Sequence, residues 1–148
     1  MNEIDKAWLS GFIDGEGHVG IHSVNTGGKG KLYYSGNCFI RNTHYDSMLH
    51  IKFLLEDLLG REVKVSSEQR ERGKDSYYTN VSSFSDLSIL GGAVYPYSVT
   101  KQKQWELLIE YVESRMKLTG LVRPYSEREM QIVLQMSTIN KRWAEGVK

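Results

Sequence analysis

Two carboxylates stand two residues apart in a run made otherwise of apolar side chains, serine and glycine: Trp8-Leu9-Ser10-Gly11-Phe12-Ile13-Asp14-Gly15-Glu16-Gly17. Carboxylates bind hard divalent cations, and magnesium, which keeps several of its waters, needs only one or two from a protein. A cation held that way activates a water and neutralises charge on a leaving oxygen, as hydrolysis of a phosphodiester requires. Ile4, Trp8, Gly11 and Gly15 follow one another at spacings of four, three and four, one stripe of a helix. Leu9, Phe12 and Ile13 form a second apolar face. Glycine costs about 1 kcal/mol against alanine inside a helix. Two in one short helix therefore point to a second backbone packed very close against that stripe. Glu16 then falls just past the helix end. The competing reading is an ordinary turn with glycine as a left-handed cap. Asp14 reads as a support for the helix end more than as a ligand, with its carbonyl or that of Gly15 near the cation.

The elements that must position this helix end follow in order. Glu16 to Asn25 alternates as a half-buried strand, with Val19 and Ile21 on one side and His18, Gly20 and His22 on the other. A glycine-rich loop through Thr26 and Lys31 leads to a second strand, Leu32 to Asn42. Its polar set is Ser35, Asn37 and Arg41, and its opposite set includes Cys38 and Ile40. A helix capped by Asn42 or Thr43 runs through Met48, Ile51, Leu54, Leu55 and Leu58 to Gly60. A third strand is expected from Glu62, with Val63 and Val65 inward and Lys64, Ser66, Glu68 and Arg70 outward. A fourth covers Ser76 to Ser82, with Tyr78 and Asn80 on one face and Tyr77, Thr79 and Val81 on the other. A short helix from Ser85 to Leu90 before Gly91-Gly92 is followed by a long helix opening at Lys101-Gln102-Lys103-Gln104. The apolar stripe of that long helix is Leu108, Tyr111, Val112 and Met116. A capping box, Ser126 and Glu129, starts a last helix with the stripe Ile132, Met136, Ile139 and Trp143.

This order predicts an α+β fold: an αββαββα core with an antiparallel four-stranded sheet, helices on one face, and extra C-terminal helices. The other face would carry His22, Thr26, Ser35, Asn37, Arg41, Lys64, Ser66, Arg70, Tyr78 and Asn80, with Lys31 in the adjoining loop and Glu68 as an acceptor for cytosine. Such a mixture suits base-edge readout in a major groove; its plainer reading is a solvated sheet face.

The 148 residues fit one domain, 1–148, large enough to bury a core. Apolar content of 40% and charged content of 25% are those of an ordinary globular chain. A net charge of +1 argues against a purely electrostatic nucleic-acid binder, so any positive field must come from local placement. No apolar run is long enough to span a membrane. The N-terminus lacks the basic and apolar regions of a signal peptide, so the expected location is intracellular, with cytoplasm, nucleoid and organelle not distinguished. The single cysteine, Cys38, reads as a small core residue, and no Cys/His spacing suggests zinc.

Leu9 to Gly17 resembles the nine-residue signature of the LAGLIDADG homing endonucleases. It is identical at Leu9, Gly11, Ile13, Asp14 and Gly17, and conservative at Ser10, Phe12, Gly15 and Glu16. The resemblance implies an αββαββα core whose sheet forms a saddle over double-stranded DNA. It also implies a metal-dependent endonuclease that makes double-strand breaks in a long, near-palindromic site, using Mg2+ with Mn2+ as a substitute. It assigns the metal to Glu16, with the carbonyl of the adjoining Gly15 as the further candidate ligand read from the motif. By the same resemblance a polar residue near the metals falls on Asn42 or Thr43, and a catalytic lysine on Lys101 or, less well matched, Lys103. Chains with one motif are homodimers in that family. Here the motif occurs once, and two strands need two metal centres, so a two-fold dimer packed through Trp8, Gly11, Phe12 and Gly15 is expected. The alternative on the same fold is a non-cleaving nucleic-acid binder, either an intron RNA maturase or a DNA-binding regulator.

Overall fold

A computed structural model describes residues 1–25, 32–120 and 123–144, with no account of the side chains from 142 onward. The order is α1 (Glu3–Glu16), β1 (Gly17–Asn25), β2 (Leu32–Asn42), α2 (Tyr45–Leu59), β3 (Ser66–Glu68), β4 (Ser76–Val81), α3 (Phe84–Val94), a 3-10 turn (Tyr95–Tyr97), α4 (Gln102–Met116) and α5 (Glu127–Ala144). The expected αββαββα core and its C-terminal helices are present. The four strands form one antiparallel sheet in the order β1-β2-β4-β3.

Register sorts the two faces. Val19 opposes Cys38, and Cys38 opposes Val81, so these buried side chains share the helix side. The core lies between them and Leu9, Ile13, Met48, Ile51, Leu55, Leu87, Leu90, Trp105, Leu108 and Tyr111. Burial pushes the Cys38 thiol up to about 12, the nearby Lys101 charge opposing it, as befits a core residue without a thiolate role. At Gly36 a Cβ would stand 2.6 Å from Leu108 Cδ1, so β2 and α4 approach as closely as a strand without side chain allows. No helix among the described residues is long and apolar enough to cross a membrane.

Four local expectations need correction. The third strand does not begin at Glu62 and covers only Ser66–Glu68. The backbone of Val63 is bound by α2 instead: its carbonyl accepts from Lys52 Nζ at 2.8 Å, and its N–H donates to Glu56 at 3.0 Å. The cap of α2 is His44, whose ring nitrogen accepts the Ser47 N–H. α3 runs through Gly91-Gly92, because Gly91 serves packing: a Cβ there would be 2.6 Å from Ile109 Cγ1 of α4. Met116 is exposed, and the buried end of the α4 stripe is Arg115. The capping box of α5 forms as expected, with Ser126 N–H on Glu129 and Glu129 N–H on the Ser126 hydroxyl. Ile132 and Met136 are buried and Ile139 is half-buried, while the Trp143 side chain lies outside the described ones.

Candidate functional site

Leu9 and Ile13 are fully buried, each worth about 1.5–3 kcal/mol relative to exposure, and they fix the inner face of α1. The Ser10 hydroxyl, also buried, donates to the carbonyl of Val94. The outer face is bare. Among the described residues nothing lies within 4 Å of where a Cβ of Gly11 or Gly15 would be, and Ile4 and Trp8 are 78% and 39% exposed. Trp8 leans against Phe12, at 5.3 Å between ring centroids, and edge-on against His50 of α2 at 4.7 Å.

The two acids of the motif have different surroundings. Asp14 is committed. Its carboxylate accepts from the Ser98 hydroxyl at 2.6 Å and from the N–H groups of Val99, Thr100 and Lys101 at 2.7, 3.1 and 3.2 Å. Its carbonyl accepts from the Thr100 hydroxyl and from Lys101 Nζ. Asp14 thus ties the end of α1 to the start of α4, where a carboxylate also meets the positive end of the helix dipole. Burial alone would raise its pKa, but the hydrogen bonds outweigh it and hold the carboxyl below the ordinary aspartate value.

Glu16 is the last residue of α1 and is exposed. Gly17 closes the helix in extended conformation, so the left-handed cap is not what forms. A glycine is needed there for space, since a Cβ would meet Ile13 Cγ2 and the Ile13 carbonyl at 2.9 Å. Glu16 thus ends the helix and does not follow it, and Gly15 lies in the last turn, where carbonyls lack intrahelical partners.

Lys101 is the N-cap residue of α4. Burial draws its ammonium below the ordinary lysine value, against the opposing charges of Asp14 and then Glu16. Lys103 is exposed and pairs with Glu106 on the surface of its own helix. Asn42 lies two residues beyond the Gly17–Ile40 pair, at the sheet end where α1 enters β1. Its side-chain oxygen accepts the His44 N–H at 2.8 Å, and Thr43 is exposed. The ring of His18 lies across Gly20, where a Cβ would be 2.6 Å from His18 Nε2 and 3.0 Å from Asn140 Nδ2. Asn140 reaches that point from α5 and also donates to the Val19 carbonyl at 3.1 Å. Partial burial, then the charges of Lys101 and His22, lower the His18 pKa.

The face away from the helices carries His22, Ser35, Asn37, Arg41, Ser66, Glu68, Tyr78 and Asn80, as the register requires. Asn37 donates to Asn80 at 3.4 Å. Lys64 precedes β3 and Arg70 follows it, so neither stands on a strand. Thr26 and Lys31 lie outside the described residues. Phe39 also belongs to this face, between Arg41 and Asn37, and sequence reading passed over it. Strict alternation from Arg41 would have found it. Ser98, Val99 and Thr100, the partners of Asp14, carry no signal in the sequence.

No family model matches the chain, and no curated protein does. Solved structures do. The homing endonuclease I-CvuI, in complex with an I-CreI target in the presence of Mg, aligns with a TM-score of 0.59 at 17% identity, over 92% of this chain and 98% of that one. An archaeal intron-encoded homing endonuclease complexed with DNA gives 0.61 at 13% identity, over 94% and 98%. The LAGLIDADG homing endonuclease I-GzeII, in complex with its DNA target, gives 0.59 at 19% identity, over 90% of this chain but 43% of that one. The chain has the fold of these proteins.

Proposed function

We propose that the protein is a sequence-specific DNA endonuclease that works as a homodimer and hydrolyses phosphodiesters with a divalent metal. The observation that carries this reading is the division of labour at the end of α1. Asp14 spends its oxygens on four hydrogen bonds, while Glu16 ends the helix exposed beside a bare glycine face.

The donors fit magnesium. A carboxylate and a main-chain carbonyl, from Glu16 and Gly15, are hard oxygen ligands. Among the described residues no cluster of three or more His, Cys, Asp or Glu could hold a metal alone. A cation here therefore takes further donors from DNA phosphates, waters or a second chain. When bound, it would activate a water and neutralise the leaving oxygen. The residues of the chain would do the rest. Glu16 holds its oxygens at the scissile position, Lys101 brings positive charge to the same helix end, and Asn42 lines the sheet side of it.

Dimerisation is supported by the exposed stripe of Ile4, Trp8, Gly11 and Gly15. Two copies give one metal centre per DNA strand and a near-palindromic site.

The test is Glu16→Gln. The variant should bind target DNA about as tightly as the wild type and lose cleavage, since a metal centre contributes several kcal/mol of transition-state stabilisation. Cleavage at the wild-type rate would remove Glu16 from the reaction. A wild-type chain that binds DNA in magnesium without cutting it would leave a non-cleaving binder as the function.

A further inference from the structure

We infer that Arg41 reads a guanine in each half of the target, aimed by Glu68, Phe39 and Tyr78; this rests on the DNA-binding reading above. Arg41 stands on β2, an inner strand of the sheet, directly opposite Tyr78 of β4. Its guanidinium carbon is 5.4 Å from the Phe39 ring centre and 5.0 Å from that of Tyr78. The two rings are themselves 5.6 Å apart and tilted by 32°. One nitrogen, Nη1, donates to the Glu68 carboxylate at 2.6 Å and to the Ser76 hydroxyl at 3.2 Å. The plane of the fork is therefore set by the rings and its rotation by the carboxylate.

What remains is the edge formed by Nε and Nη2. Neither carries a hydrogen bond to a described residue, and the side chain is 32% exposed. That edge offers two parallel N–H donors. In a major groove only guanine presents two adjacent acceptors, O6 and N7; adenine pairs N7 with a donor. A phosphate also offers two acceptors, but a side chain on an inner strand of a sheet in the groove faces base edges. Glu68, whose carboxylate is already engaged by Arg41, is then an orienting residue and not a reader of cytosine. Fixing the fork before binding removes most of the rotamer freedom an arginine would otherwise lose on contact.

The experiment is selection of bound duplexes from a randomised double-stranded DNA pool, followed by sequencing, for the wild type, Arg41→Lys and Glu68→Gln. Arg41→Lys keeps the charge and loses the fork. The wild type should fix a guanine at one position of each half-site. Arg41→Lys should lower that single preference about tenfold, the size of one bidentate pair, with the other positions unchanged. Glu68→Gln should weaken the same position by a smaller factor and thereby separates aim from charge. An unaltered guanine in Arg41→Lys, or an equal loss at every position, overturns the inference while leaving the DNA-binding reading standing. A wild-type chain that selects no sequence overturns both.

Discussion

Asp14 and Glu16 are two residues apart and chemically alike, yet their surroundings divide them. Asp14 receives the hydroxyl of Ser98 and three backbone N–H groups ahead of α4, and through its carbonyl it also holds Lys101. It positions; it does not touch the reacting atoms in the proposed reaction. Asp14→Asn would keep one acceptor oxygen and turn the other into a donor facing N–H groups. We expect a loss of about 1.5–3 kcal/mol at pH 7, the range for hydrogen bonds to a charged group. Cleavage should fall while DNA affinity stays near the wild type, because Lys101 drifts. The pH dependence follows from the sign of the shift. The folded carboxyl sits below its ordinary value of about 3.9. Its stabilisation is therefore full above that value and lost as pH falls through the folded one. Urea midpoints of wild type and variant should differ by a constant gap from pH 7 to about pH 4, and the gap should shrink as the pH is lowered further. A gap that does not shrink at all below about pH 4 would mean that the hydrogen bonds to Asp14 do not depend on its charge.

At the level of elements, α1 has one face settled by the chain and one face left open. Its glycines contrast with Gly91, which α4 presses against directly. A Cβ at Gly11 meets no described residue within 4 Å, and the helix propensity of valine is no worse than that of glycine. Gly11→Val should therefore leave the monomer folded while blocking close approach of a second α1. Sedimentation should show a two-chain mass for the wild type and a one-chain mass for the variant, with unchanged far-UV circular dichroism. A variant that stays dimeric, or a wild type that is monomeric when active, would sink the dimer. The same contrast explains what the sequence could show. The motif, the alternation in β1, β2 and β4 and the stripe of α2 are local patterns and were readable. The shortness of β3 was not, because Lys52 and Glu56 take the backbone of Val63 from a distance in sequence. Gly91-Gly92 looked like a break because the packing partner of Gly91, Ile109, is eighteen positions away.

Across the whole molecule, the C-terminal helices are joined to the core by a polar knot that no local pattern announces. Arg115 and Glu129 are 8% and 2% exposed and pair at 3.3 Å. Arg115 also donates to the carbonyls of Arg123 and Pro124, and its guanidinium lies 4.1 Å from the Tyr125 ring centre. Tyr125 accepts the N–H of Tyr34, whose carbonyl takes the Tyr111 hydroxyl. One network thus reaches from α4 and the start of α5 to the far end of β2, opposite the end that carries Glu16. The stripe reading missed it by one residue, choosing Met116 where Arg115 is buried. Removing one partner of a buried pair strands the other, at a cost of about 3–5 kcal/mol. Arg115→Ala should lose that much at pH 7 and raise hydrogen exchange in α5 before the rest of the chain. Burial would raise the Glu129 pKa, but Ser126, Ser114 and Arg115 hold it below its ordinary value of about 4.3. The contribution of the pair is therefore present above that value and fades as pH falls through the folded one, so the difference between variant and wild type should shrink below about pH 4, leaving the part that comes from the Arg115 bonds to the Arg123 and Pro124 carbonyls. A loss under about 1 kcal/mol at pH 7 would mean that the buried pair contributes no net stability and that α5 is held by its other contacts, among them Ile132, Met136 and Asn140.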